Sequence, residues 1–212
     1  MPLYKTITVN QHTKVLIWKI EESFETLSKV IDLTPYCQNR LSQMKSEMHR
    51  RGFMSVRHLL AHVNYQDSDL YYDDFGKPYL KDGTQISITH SFEFAAIIIS
   101  NQRIGIDIEK QREKIKRIAH KFTNDKEADF ISKVPDVAVR LLTIIWGAKE
   151  SLYKLYATAG LSFEQHIQIP DFKIEDGEFI GAIEYQNSIS AYKIMFLEFE
   201  GFTCVYASAI QE

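Results

Sequence analysis

The chain has 212 residues, 45% hydrophobic and 25% charged, with a formal net charge of −3. This is the balance of an ordinary soluble globular protein: enough apolar residue for one domain or for two halves of about 100 residues each. It lacks the basic excess of a general nucleic-acid binder, and no nucleic-acid partner is expected. The longest apolar run, Phe94 to Ile99, is too short to span a bilayer, and the N-terminus has no signal-like core, so the expected location is the cytoplasm. The two cysteines, Cys37 and Cys204, lack metal-ligand spacing and read as free thiols.

In chain order, Lys14 to Ile20 reads as a strand and Ser23 to Val30 as a short helix. From Leu41 to Val63 apolar residues recur at helical spacing, which predicts two helical pieces interrupted near Gly52. Tyr71 to Gly83, with Gly76, Pro78 and Asp82-Gly83, predicts a loop or hairpin. Three strands follow, at Ile86 to Thr89, Phe94 to Ser100 and Ile104 to Ile108. Helical periodicity returns over Ile115 to Ile131 and over Val137 to Tyr156, with Asp136 as the expected cap and Gly160 as the stop. The remainder reads as antiparallel strands at Phe172 to Glu175, Glu178 to Tyr185, Tyr192 to Phe199 and Phe202 to Ala209. Strand, helices and strands thus occur twice, without a residue-level repeat.

Two runs carry the chemistry. Ile104-Gly-Ile-Asp-Ile-Glu109 places Asp107 and Glu109 at i, i+2, so both carboxylates leave one face of a strand anchored by isoleucines. Trp146-Gly-Ala-Lys-Glu-Ser-Leu-Tyr-Lys154 is helical and places Glu150 and Lys154 on one stripe, with Lys149 beside it. Each has a plain structural reading, a solvated strand edge and an exposed i, i+4 ion pair. Together, three carboxylates and two lysines suit Mg²⁺ and a polyphosphate, because Mg²⁺ takes a few carboxylates plus phosphate oxygens and water. Phe75-Gly-Lys-Pro78 can hold a cation rigidly, Thr89-His90-Ser91 ends a β-run, and Arg57 lies within an apolar helical pattern.

The order of these motifs, Gly-Lys-Pro, Thr-His-Ser, Gly-Ile-Asp-Ile-Glu and Trp-Gly-Ala-Lys-Glu-Ser-Leu-Tyr-Lys, resembles the 4′-phosphopantetheinyl transferase superfamily, in its surfactin-type, two-half monomeric branch. The resemblance spans about Arg50 to Lys154. It implies an α+β fold of two similar halves, 1–103 and 104–212, each with helices on a mostly antiparallel sheet and with the active site in the cleft between them. It implies transfer of the phosphopantetheine arm of coenzyme A to a serine of an apo acyl or peptidyl carrier protein. Asp107, Glu109 and Glu150 would hold Mg²⁺. Lys149 and Lys154 would pair with phosphate oxygens, and Arg57, Lys77, Pro78, Thr89 and His90 would hold the nucleotide end of coenzyme A. The serine proton would pass to Glu150, to Glu127 in the stretch Phe122 to Phe130, or to a metal-bound water. Two positions depart from the family pattern: Gly52, where many relatives have an acid, and the Gly147-Ala148 pair. The competing readings are a noncatalytic coenzyme A or carrier-protein binding module and another Mg²⁺-dependent phosphoryl-transfer enzyme.

Overall fold

The computed structural model describes residues 3–210. They form two compact units, which divide between Asn101 and Gln102. Among the described residues, both cysteines are buried and free. No described helix is long and apolar enough to cross a membrane.

The first unit contains β1 (Leu3–Thr8), β2 (Lys14–Lys19), α1 (Phe24–Ser28), α2 (Pro35–Ser42), α3 (Glu47–Ala61), β3 (Leu70–Tyr72), β4 (Pro78–Leu80), β5 (Gln85–Ser91) and β6 (Phe94–Ser100). Its main sheet has the order β1-β2-β6-β5, and β3 and β4 form a separate antiparallel ribbon. The helical break expected near Gly52 falls instead between α2 and α3. There the Ser46 hydroxyl caps α3 by accepting a bond from the His49 amide at 3.4 Å. Gly52 lies inside α3, where it forms part of a buried face running to Leu60. That face packs with Trp18, Leu27 and Ile97 into the unit's core.

The second unit contains β7 (Ile104–Lys110), α4 (Ile115–Ile118), α5 (Asp125–Ser132), α6 (Ala138–Tyr156), α7 (Phe163–His166), β8 (Ile167–Gln168), β9 (Glu178–Tyr185), β10 (Ser188–Phe199) and β11 (Phe202–Ala209). The sheet order is β7-β11-β10-β9-β8, antiparallel throughout. Two-residue turns join β9 to β10 and β10 to β11. Their residues Gln186, Asn187, Glu200 and Gly201 all have positive φ, the backbone twist that such hairpins require.

Three expectations are corrected here. The helix expected over 115–131 breaks into α4, a 3-10 turn and α5, because Asn124 starts a new helix with a capping box to Glu127. Asp136 sits in a 3-10 turn before α6 and does not cap it, and the helix ends at left-handed Ala157, three residues before Gly160. The strand expected at Phe172 to Glu175 is absent among the described residues. Phe172 instead stacks on Phe179 at 4.3 Å and the chain makes a 3-10 turn at Ile174–Asp176, so aromatic packing anchors this segment in place of strand pairing.

Candidate active site

The second unit brings the two sequence runs together by stripping side-chain bulk from their interface. A Cβ at Gly105 would overlap the carbonyl oxygen of Ser151, so α6 lies against the backbone of β7. A Cβ at Gly147 would come within 2.6 Å of Val205 Cγ2, and the Ser151 hydroxyl donates to the Val205 carbonyl at 3.0 Å. Only glycine permits this approach. Because Asp107 shares the Gly105 face of the strand, and Glu150 and Lys154 follow Gly147 along α6, the contact delivers both helix residues to Asp107.

The strand is therefore not apolar on one side and solvated on the other, as its alternation suggested. Ile106 is 0% and Asp107 5% exposed, so both faces are covered. Gly105 is the sequence signal for this, since glycine inside a strand often marks close approach of another backbone.

Lys154 Nζ donates to Asp107 Oδ1 at 2.8 Å and to the Ile106 carbonyl at 3.0 Å, and lies 4.0 Å from Glu150 Oε2. The other oxygen of Asp107, Oδ2, is buried on the Gly147 side. Burial pushes the Glu150 carboxyl above its ordinary range; Lys154 opposes that rise, and Asp107 and Glu109 add to it. The three acids thus lie within electrostatic reach of one another. Among the described residues, however, no three His, Cys, Asp or Glu side chains form a preformed cation cage. In kind the donor set suits a hard cation: carboxylates only, mutually repelling, on a strand and a helix held by backbone contact.

Lys149 and Glu127 are bound to each other in the interior of the second unit. Lys149 is fully buried and its ammonium donates to Glu127 Oε2 at 2.7 Å, to the Phe122 carbonyl at 2.7 Å and to the Phe163 carbonyl at 2.8 Å. All three of its protons are used, and none remains for a phosphate. Glu127 also accepts from the Asn124 amide at 3.0 Å and the Ile169 amide at 3.0 Å. Burial, the largest influence on both, pushes Glu127 up and Lys149 down, and each group's charge opposes the shift of the other. This pair ties α6 to the start of α5 and to the segments around Phe163 and Ile169. It braces these segments. The Asn124-x-x-Glu127 capping box was the available sequence signal that this acid is engaged locally.

In the first unit, Arg57 is likewise spent on structure. It is 3% exposed and donates to Asp67 Oδ1 at 2.9 Å, to the Phe53 carbonyl at 3.2 Å and to Cys37 Sγ at 3.2 Å. Asp67 also accepts from the Thr34 amide and hydroxyl, which closes the network. Arg57 thus forms a core ion pair with Asp67. Lys77 sits in the turn joining β3 and β4, with its amide bonded to Asp73 Oδ1 at 2.9 Å and its ammonium 5.5 Å from the Tyr79 ring centroid; Pro78 begins β4. Thr89 is buried and His90 exposed near the end of β5. A Cβ at Gly52 would lie 3.1 Å from His90 Cγ, and the His49 and His90 ring centroids are 5.9 Å apart. Gly52 thus makes room for the His90 ring on α3.

Residues 103–202 match the model of the 4′-phosphopantetheinyl transferase superfamily. The chain is 28% identical over 152 residues to 4′-phosphopantetheinyl transferase gsp of Aneurinibacillus migulanus, covering 70% of this chain and 62% of that protein. It is 30% identical over 118 residues to 4′-phosphopantetheinyl transferase Sfp of Bacillus subtilis (strain 168), covering 52% and 53%. A further Bacillus subtilis 4′-phosphopantetheinyl transferase is 34% identical over 92 residues, 42% and 41% of the two chains. The second unit of this chain is thus similar to the 4′-phosphopantetheinyl transferase superfamily, and the relatives that the chain matches are named 4′-phosphopantetheinyl transferases. The chain spans about three fifths or less of the length of these relatives.

Proposed function

We propose that this protein transfers the phosphopantetheine arm of coenzyme A to a serine of an apo acyl or peptidyl carrier protein, and does so as a cytoplasmic monomer. The observation that carries the reading is the convergence of Asp107, Glu150 and Lys154 where α6 meets β7, inside the segment that matches the family.

In the reaction the serine oxygen forms a bond to the β-phosphorus of coenzyme A while the bond to the bridging oxygen breaks, releasing adenosine 3′,5′-bisphosphate. Negative charge grows on the leaving phosphate, so cations that strengthen in the transition state are required. A Mg²⁺ held by Asp107, Glu109 and Glu150 would neutralise that charge on the pyrophosphate. Lys154, 29% exposed at its side chain, supplies an ammonium that can reach a phosphate oxygen. Glu150, which lies beside Asp107 and Lys154, or a water held by the cation would take the serine proton. Against that role for Glu127 stand its bonds to Lys149, Asn124 and Ile169. Lys77, Pro78, Thr89 and His90 are assigned the nucleotide end of coenzyme A.

The test is incubation of apo carrier proteins with coenzyme A, Mg²⁺ and the enzyme, followed by intact-mass measurement. A gain equal to the phosphopantetheine arm that disappears with EDTA supports the reading. Coenzyme A binding without any mass gain on a panel of carriers would favour the noncatalytic binding module instead.

A further inference from the structure

The ammonium of Lys154 sits where opposite charge is most needed. It bonds Asp107 Oδ1 at 2.8 Å and lies 4.0 Å from Glu150 Oε2, while the Ile106 carbonyl fixes its third side at 3.0 Å. Asp107 is 7% and Glu150 27% exposed at the side chain, so water screens these carboxylates poorly and an internal positive charge is worth more than at a surface. The same two acids are the ones proposed above as ligands of a divalent cation. A cation at Asp107 and the Lys154 ammonium would be like charges a few ångströms apart in a weakly screened site.

We infer that Lys154 is an internal stand-in cation that must give up Asp107 before a divalent cation can bind, which makes the free protein a weak metal binder and couples metal uptake to arrival of a polyphosphate. The polyphosphate supplies the new anion that the displaced ammonium needs. Lys154 is close to solvent on α6, so its long flexible side chain can swing from the carboxylate to a phosphate while the helix backbone stays in place. Two ligands that each favour the displaced state bind with positive coupling, equal in both directions. Lys154 thereby acts on the metal as a positioning residue, in addition to the phosphate contact assigned to it. The inference rests on the proposed metal site, and it needs no transfer activity to be tested.

The experiment measures binding of Mn²⁺, as a spectroscopic substitute for Mg²⁺, to the full-length protein by electron paramagnetic resonance, alone and with saturating inorganic pyrophosphate or coenzyme A. Wild type is expected to bind Mn²⁺ at least tenfold more tightly with pyrophosphate than without. K154M, which keeps the length and removes the charge, is expected to bind Mn²⁺ alone about tenfold more tightly than wild type and to lose most of the coupling. K154R, which keeps the charge, should retain weak uptake. If K154M does not fold, K154Q replaces it with the same expectation. Equal or weaker Mn²⁺ binding by the neutral variant, or coupling unchanged by it, would overturn the inference. Carrier modification by wild type, measured separately, reports on the proposed function whichever way the metal result falls.

Discussion

The carbonyl oxygen of Ser151 fills the space that a side chain at position 105 would occupy. Any residue larger than glycine at 105 must push α6 off β7, and because the obstacle is backbone, it cannot rotate away. Gly105→Ala is therefore expected to destabilise the second unit by about 2 kcal/mol or more, within the range for forced overpacking, and to separate Glu150 and Lys154 from Asp107. Thermal unfolding checks the first effect. Transfer activity of the folded fraction checks the second, and is expected to fall with it.

Lys149 and Glu127 form a buried pair with side chains 0% and 1% exposed. Removing one partner strands a charge, so K149M or E127Q is expected to cost about 3–5 kcal/mol. For a chain of this size that lowers the melting temperature by about 10 °C. The double variant E127M/K149M is expected to recover a substantial part of the loss, since no lone charge remains. Equal stability of all variants in denaturant titration would remove the brace.

The raised pKa of Glu150 sets a pH signature for the metal-free protein. A carboxyl whose folded pKa lies above its unfolded value holds a proton more firmly when folded, so stability declines as pH rises through the folded pKa. Below the ordinary carboxyl range the group is protonated in both states and contributes no pH dependence. E150Q is accordingly expected to melt above wild type near pH 8, with the difference closing toward pH 4. Melting curves across that range in EDTA check it. A constant offset would show that the charge of Glu150 carries no cost.

Gly52 bears on the first unit. An added Cβ would lie 3.1 Å from His90 Cγ, tight enough to shift the imidazole but against a side chain that can move. Gly52→Ala is expected to leave stability unchanged or raise it by up to about 1 kcal/mol, as alanine favours a helix interior. Its KM for coenzyme A should rise several-fold while kcat changes little. An unchanged KM would separate His90 from the ligand.

Much of the architecture was legible because it depends on local pattern. The isoleucine alternation at Ile104, Ile106 and Ile108 gives β7, and Glu200-Gly201 falls between the strands read at Tyr192 to Phe199 and Phe202 to Ala209. Face geometry set Asp107 beside Glu109 on the strand and Glu150 beside Lys154 on the helix, while the meeting of the two elements was implied by the family resemblance. What escaped depended on distant segments closing over a side chain. Lys149 resembles a free lysine next to Glu150 until the carbonyls of Phe122 and Phe163 arrive from either side of it in sequence. Arg57 resembles a phosphate ligand until Asp67, ten residues on, turns back against it. Gly52 suggested a break by its propensity, and packing against His90 overrode that preference.

The proposed function places the chemistry on the β7–α6 carboxylates and not on the Glu127–Lys149 pair. The most direct measurement is the intact mass of an apo carrier protein after incubation with coenzyme A, Mg²⁺ and either wild type or D107N. Wild type is expected to phosphopantetheinylate the carrier fully and a folded D107N to lose at least about a hundredfold in rate. Modification by D107N at the wild-type rate would contradict that placement.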